Sequence, residues 1–509
     1  MKRPWPKLSE LMGPLGIGVR ENQADPRIAS VHYRAQDVTP DGVFVAIPGL
    51  RHDGAAFIDQ AVINGAAAIV VQAKAKKREA IKGVLVIEVP DARYALAGMA
   101  SQFYGRPSEK LVVIGITGTN GKTTTTYLIE NILAAAGFST GLIGTIDYRF
   151  GGQSFKNPVT TPESADLQSI LADMLAAGVT HVVMEVSSHA IDLDRIAFCF
   201  MDLAVFTNLS QDHLDYHKDM QQYWACKKRL FTEHLLTGPK KALAKAVVNM
   251  ADARGRDLVD EMEIPTVSVN VNEPATVWSP HITARLGGIA AEIHTPEGDF
   301  EIKSPLLGAF NGENILCATG AGWALGVEAT HLKTGVETLA GVSGRLEPVS
   351  TSNGKHVFVD YAHTPDALAN VLAAARALSE GRLVCIFGCG GDRDQAKRSQ
   401  MGAIAAKGAD IVVVTSDNPR SEDPLSIINQ IVEGISQTGM APVGPEGTSG
   451  GYLIEPDRRS AIAAGIKAAN KKDIVVIAGK GHEDYQIIGD SRIDFDDRQV
   501  ALNILEGGL

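Results

Sequence analysis

An apolar, β-branched run, LVVIGI (111–116), gives way to a glycine-bearing turn and then a helix-like stretch, so that residues 115–126 read GITGTNGKTTTT. Such a run predicts a strand buried on both faces, with its turn at the carboxyl end of a parallel sheet. Gly118 and Gly121 let the backbone turn tightly and aim N–H groups at an anion. Thr119, Asn120 and Thr124 complete the loop around them. Lys122 can reach β/γ-phosphates, Thr123 can ligate Mg²⁺, and the helix start adds its dipole. The common phosphate-loop spacing puts glycine at 116, where Ile116 stands. The loop predicts a bound nucleotide. It does not separate a kinase, motor, switch or ligase.

The same alternation recurs along the chain. Short β-like runs VFVAI (43–47) and AAAIVV (66–71) precede the loop, and HVVMEV (181–186), DLAVF (202–206) and AVVN (246–249) follow it. Residues 307–341 read as mostly helical. From Gly344 onward a further set begins: HVFVDY (356–361), RLVCIFG (382–388), DIVVVTS (410–416) and DIVVIAG (473–479). Strand–helix alternation predicts an α/β protein with parallel sheets covered on both faces. Three domains are expected: 1–107, a central P-loop ATPase domain at 108–342 with a mostly parallel sheet, and a doubly wound α/β domain at 343–509. That number suits 509 residues at about 100–200 per domain.

Composition excludes several classes. With 48 Lys and Arg against 59 Asp and Glu, the net charge is −11. No overall field draws nucleic acid or an anionic membrane, so an anionic ligand must meet locally placed cations and N–H groups. Cys199, Cys226, Cys317, Cys385 and Cys389 are odd in number and lack ligand spacing, which argues against disulfide frameworks and structural zinc. No apolar run reaches the roughly 18 residues of a membrane span, and the basic N-terminus lacks an apolar run behind it. A cytoplasmic protein is expected, without nucleic acid or membrane insertion.

Two clusters fall beyond apolar strands. Glu185 ends the first, and Asp212, His213, Asp215 and His217 crowd the second. Alone, the second reads as a solvated polar loop. Beside a phosphate loop, both suit Mg²⁺, which prefers carboxylate oxygens, water and substrate phosphates. The spacing in SSH (187–189) is too short for a Ser/His/Asp triad.

Taken together, GTNGKTT (118–124), MEVSSH (184–189), FTNLSQDHLDYH (206–217), GAFNGEN (308–314) and GRLEPV (344–349) resemble the Mur ligases. VDYAHTPDAL (359–368), FGCGGDRD (387–394), SDNPR (416–420) and AGKGHEDYQ (478–486) are similar to the member that adds diaminopimelate. The resemblance runs from about residue 38 to 500. It implies a UDP-substrate-binding N-terminal domain, a central ATPase and a C-terminal amino-acid domain. The implied reaction is ATP-dependent addition of meso-2,6-diaminopimelate to UDP-MurNAc-L-Ala-D-Glu through an acyl phosphate, in peptidoglycan precursor synthesis; a monomer is expected.

Carried over residue by residue, the resemblance gives Gly118 to Thr124, Asn311, Arg345 and Asp360 to ATP. Lys122, Lys227 and His213 are catalytic; Thr123, Glu185, His213 and Lys227 serve Mg²⁺, with Lys227 as a CO₂-derived carbamate. Thr160, Thr161, Ser187 and Arg195 would meet the UDP-MurNAc-dipeptide. Arg393, Asp417, Asn418, Pro419, Arg420, Gly479 and Glu483 would meet diaminopimelate. By sequence alone Lys227 reads as a surface lysine and DNPR as a turn. Arg34-Ala35-Gln36 replaces the family's Asp-Ser-Arg, so no uridine-binding side chain is assigned there. A folylpolyglutamate-type ligase and an L-lysine-adding Mur ligase are the enzyme alternatives; a P-loop switch or motor is the other class.

Overall fold

A computed structural model of the chain describes residues 5–18, 24–49, 53–73, 83–349, 355–444 and 450–507; the Asp215 side chain lies outside the described set. Strands gather into three main sheets. The first is parallel, in the order Val31–His32, Val43–Ala46, Ala68–Gln72, Leu85–Val89. Helix Ala92–Phe103 closes one face, burying Leu96 and Met99 against Val43, Val45 and Val70. Asp91 starts that helix by accepting from the Arg93 and Tyr94 amides.

The second sheet has twelve strands. Its centre is parallel, in the order Thr266–Val271, Lys245–Asn249, Leu203–Phe206, Val112–Thr117, His181–Glu185, Thr140–Ile143. The phosphate-loop strand therefore lies between the strands that end at Glu185 and Phe206, and their carboxyl ends converge. Helix Lys122–Ala135 packs Ile129 and Leu133 on this sheet beside helix Phe310–Ala324.

Both edges depart from the expected alternation. Strands Asp147–Phe150 and Gln153–Lys156 form an antiparallel hairpin on one side, and three further antiparallel strands between Ile282 and Ser304 extend the other. The first hairpin turns on Gly151 and Gly152, both at positive φ, the conformation two-residue hairpin loops favour. These strands are half-polar and partly exposed, so they lack the apolar runs that mark a buried strand.

The third sheet has the order Glu347–Val349, His356–Asp360, Ile474–Ala478, Leu383–Phe387, Ile411–Val414, Gly451–Ile454, parallel except at its first strand. Side chains alternate between two cores: Val476 and Cys385 meet Leu368 and Ile431 on one face, while Val475 and Val384 meet Ile462 and Val500 on the other. Each fully buried Val or Ile contributes about 1.5–3 kcal/mol. This is the expected doubly wound arrangement. All five cysteines are free and buried. Among the described residues no helix is long and apolar enough to cross a membrane.

Candidate active site

The loop after Val112–Thr117 needs its two glycines. Gly118 has φ +152° and Gly121 φ +84°, and a Cβ would overlap Thr207 Oγ1 at the first and Asn314 Oδ1 at the second. The neighbouring strand end braces the loop. Thr119 N donates to Asn208 O (2.9 Å), Asn120 N to Asn208 Oδ1 (2.9 Å), and Thr207 Oγ1 to Asn120 O (2.7 Å). Lys122 Nζ folds back on the carbonyls of Gly118 (2.9 Å) and Thr119 (2.8 Å). Burial pulls its pKa down, with Glu185 and Asp212 opposing, so an arriving phosphate would find an under-compensated cation.

Lys227 lies on helix Met220–Arg229, which Asp219 caps through the Gln222 amide. It is only 1% exposed. Its Nζ donates to Gly118 O at 2.7 Å and sits 4.6 Å above the Tyr223 ring. Burial first, then the charge of Lys122, pushes its pKa well below the usual lysine range. A neutral amine is the form that adds CO₂. Lys228, by contrast, pairs with Glu261 nearer the surface.

Glu185 is buried, accepting from Thr145 N (2.8 Å) and Thr145 Oγ1 (3.0 Å). His213 adopts φ +54° and stands 3.3 Å from Asp212. Burial, helped by His189, Lys122 and Lys227 against the pull of Asp212, brings its pKa down to about 3. The imidazole is therefore neutral and free to act as a ligand. His217 instead is buried, 2.9 Å from Ser188 Oγ. Glu185, Thr123 and His213 line one cavity of 470 Å³ with Lys122. This oxygen-rich set fits Mg²⁺. Among the described residues, the one group of three acidic or imidazole ligands already drawn together is Glu292, His294 and Asp299, on the edge hairpin; Glu185 and His213 are not closed into such a cluster.

The third sheet supplies the opposite wall. Arg345 Nη2 donates to Thr123 Oγ1 at 2.9 Å and the guanidinium lies 4.8 Å over the Tyr361 ring. Asp360 accepts from the amides of Leu346 (2.6 Å) and Ala362 (2.8 Å). Asn120 Nδ2 and Ser210 Oγ both donate to Asp366 Oδ2 at 2.7 Å, joining the phosphate loop to helix Pro365–Leu378. Asn311 lies behind the wall: its amide donates to Leu307 O and its carbonyl accepts from Asn314, each at 2.7 Å. Phe310, Glu313 and Asn314 face the cavity in its place.

Thr160 and Ser187 reach the same cavity. Thr161 is buried, donating to Glu185 O (2.8 Å) and accepting from Ser187 N (3.1 Å), and Arg195 donates to its carbonyl (3.1 Å). Glu163 ties Arg195 to Arg93 from the first sheet's helix, at 3.5 and 3.0 Å.

A second cavity of 440 Å³ gathers Arg393, Asp417, Asn418, Arg420, Gly479 and Glu483. Pro419 does not line it; its carbonyl packs against Gly391. Arg420 has φ +52° and donates to Gly391 O at 2.7 Å. Asp212, His213, Tyr361, His363 and Thr364 line both cavities.

Family models match three stretches: Mur ligase family, catalytic domain, at 27–104; Mur ligase middle domain at 116–322; and Mur ligase, glutamate ligase domain, at 344–481. Together they span most of the chain. It belongs to the Mur ligase family. Among curated relatives, a UDP-N-acetylmuramoyl-L-alanyl-D-glutamate–2,6-diaminopimelate ligase of Geobacter metallireducens is 43% identical, covering 93% of each chain. One of the same name from Gloeobacter violaceus is 44% identical, covering 99% of this chain and 98% of that one. A solved structure of a ligase so named superposes with a TM-score of 0.67 at 30% identity, covering 98% and 99%. The three Mur ligase matches fall one on each main sheet, so the two cavities lie where the second and third meet.

Three residues of this Mur ligase site escaped sequence reading. Lys480, Asp366 and Lys397 are ordinary surface-type residues by composition. Only packing turns Lys480 fully inward, brings Asp366 onto Asn120, and sets Lys397 Nζ 2.8 Å from the His363 carbonyl.

Proposed function

We propose that this Mur ligase joins meso-2,6-diaminopimelate to the D-Glu side-chain carboxylate of UDP-MurNAc-L-Ala-D-Glu at the expense of ATP, in peptidoglycan precursor synthesis. The observation that carries the reading is the shared wall: a phosphate-loop cavity and an arginine- and carboxylate-lined cavity meet at Asp212, His213, Tyr361, His363 and Thr364.

The D-Glu carboxylate oxygen attacks the γ-phosphorus and ADP leaves, giving an acyl phosphate. A neutral amine of diaminopimelate then attacks the acyl carbon, and inorganic phosphate departs as the amine loses a proton. Three anionic groups must be held together, so positioned cations and N–H donors supply most of the stabilisation. Lys122 and the loop amides hold the β/γ-phosphates. Arg345 approaches the same phosphates from the opposite wall. Thr123, Glu185, His213 and carbamylated Lys227 would hold Mg²⁺, which supplies neutralising charge to the phosphates when bound. Carbamate formation makes Lys227 an anion beside Lys122 and relieves two neighbouring ammonium groups. Thr160 and Ser187 orient the acceptor; Arg420 and Glu483 receive the distal carboxylate and ammonium of diaminopimelate.

The test is product mass after incubation with ATP and UDP-MurNAc-L-Ala-D-Glu, with diaminopimelate, L-lysine or no amino acid. A tripeptide product with diaminopimelate and none with L-lysine supports the reading. Equal use of L-lysine overturns the amino-acid assignment, and ADP release without coupled product overturns the ligase assignment.

A further inference from the structure

We propose that Lys480 is a positioning residue for amino-acid specificity, its enclosed ammonium holding Asn418 and the Glu483 carboxylate in the arrangement that receives the substrate's distal ammonium. This deepens the proposed function and rests on it. Lys480 is fully buried and does not line the cavity, so it acts through its neighbours. Its Nζ lies 3.2 Å from Asn418 Oδ1, 3.2 Å from Glu483 Oε2 and 3.5 Å from Asp417 Oδ1. Asn418 is committed by the same contacts: its Nδ2 donates to Glu483 Oε2 at 2.9 Å and its Oδ1 also accepts from Ile487 N at 3.0 Å. One ammonium thus fixes an amide, which fixes a carboxylate, and the DNPR turn is locked to the GKGHE turn.

The charges around the cluster make the choice of lysine consequential. Asp417 faces it from the strand end Ile411–Val414, Tyr361 from His356–Asp360, and Tyr485 from the hairpin strand Tyr485–Ile488, its ring 5.4 Å from Nζ. Arg458, from helix Arg458–Ala468, pairs with Asp497 through Nε at 2.8 Å and Nη2 at 2.6 Å and also feels Asp417 and Glu483. Burial raises the Glu483 pKa, Asp417 raises it further, and Lys480 is the foremost opposing influence. Removing that cation leaves burial and Asp417 less opposed and favours the protonated, uncharged form of Glu483. A protonated Glu483 loses the charge that attracts the distal ammonium.

The test compares full-length wild type with Lys480→Met, reading KM for diaminopimelate and for ATP at about pH 6.5 and about pH 8.5, the lower pH favouring the protonated carboxyl more than the higher. Lys480→Met should raise KM for diaminopimelate about tenfold or more at the lower pH, and several-fold less at the higher, because alkali restores the Glu483 carboxylate. KM for ATP should move by no more than about twofold. Glu483→Gln, which cannot ionise, should raise KM at both pH values, and adding Lys480→Met to it should cost little more. A Lys480→Met profile parallel to wild type, equal losses for ATP and diaminopimelate, or an additive double variant overturns the proposal. Should Lys480→Met fail to fold, Asn418→Asp carries the test. It removes the amide donor to Glu483 and adds a like charge, so the same pH-dependent KM is expected, and a pH-independent one overturns the idea. Wild type that forms no tripeptide with diaminopimelate overturns the underlying function as well; normal wild-type product with unaltered variant profiles overturns only the role of Lys480.

Discussion

Lys227 Nζ donates to the carbonyl of Gly118 at 2.7 Å, from a helix more than a hundred residues further along the chain. The amine touches the phosphate loop itself, and burial and Lys122 push its pKa well below the usual lysine range, favouring the neutral form. Lys227→Ala should therefore lower kcat on the order of 10²-fold or more, since the carbamate that would help hold Mg²⁺ beside the phosphates is lost. A short-chain carboxylate added to the variant should restore part of the rate. Full activity without added carboxylate would dispose of the carbamate.

Arg345 bridges two sheets through Thr123 Oγ1 at 2.9 Å and stacks on Tyr361. Lysine keeps the charge but loses the planar fork and the stacking. Arg345→Lys should raise KM for ATP about tenfold while leaving KM for diaminopimelate within about twofold. Steady-state kinetics varying each substrate in turn decides it.

Gly121→Ala places a methyl on Asn314 Oδ1 at a backbone φ of +84°. Asn314 is itself held by Asn311, so it has little room to yield. The variant should lose about 1–3 kcal/mol of stability and most ATP binding. Thermal unfolding with and without ATP reads both; an unchanged Tm and an unchanged ATP-induced shift would contradict the packing.

Arg420→Ala removes a guanidinium from the second cavity. A charge-assisted pair lost in an enclosed site costs about 2–5 kcal/mol. KM for diaminopimelate should rise well over tenfold, with little change for ATP. L-Lysine should gain little, because removing a cation creates no new contact for it.

Asp497→Ala should be costlier than any surface change. Arg458 and Asp497 are both shut away from solvent, with Nη2 2.6 Å from the carboxylate. Breaking such a pair leaves a buried charge and costs about 3–5 kcal/mol, whereas replacing both by apolar residues costs far less. Comparing denaturant midpoints of Asp497→Ala and Arg458→Met/Asp497→Leu tests this.

Local chemistry determined much of this protein. GTNGKTT after LVVIGI dictates a phosphate loop, because positive-φ glycines and a helix start leave few other uses for that order of residues. The apolar runs from 356 to 479 dictate strands covered on both faces, and they form the third sheet. The half-polar hairpins at the edges of the second sheet were not legible, since partial exposure erases the apolar run that announces a strand. The motif implies a role for Asn311 at ATP; only packing decides that its side chain bonds to Leu307 O and Asn314. Only the tertiary structure lowered the Lys227 pKa, drew Asp366 onto Asn120, and sealed Lys480 beneath Glu483. Those properties arise from desolvation and from charges tens to hundreds of residues away, which no local pattern of residues records.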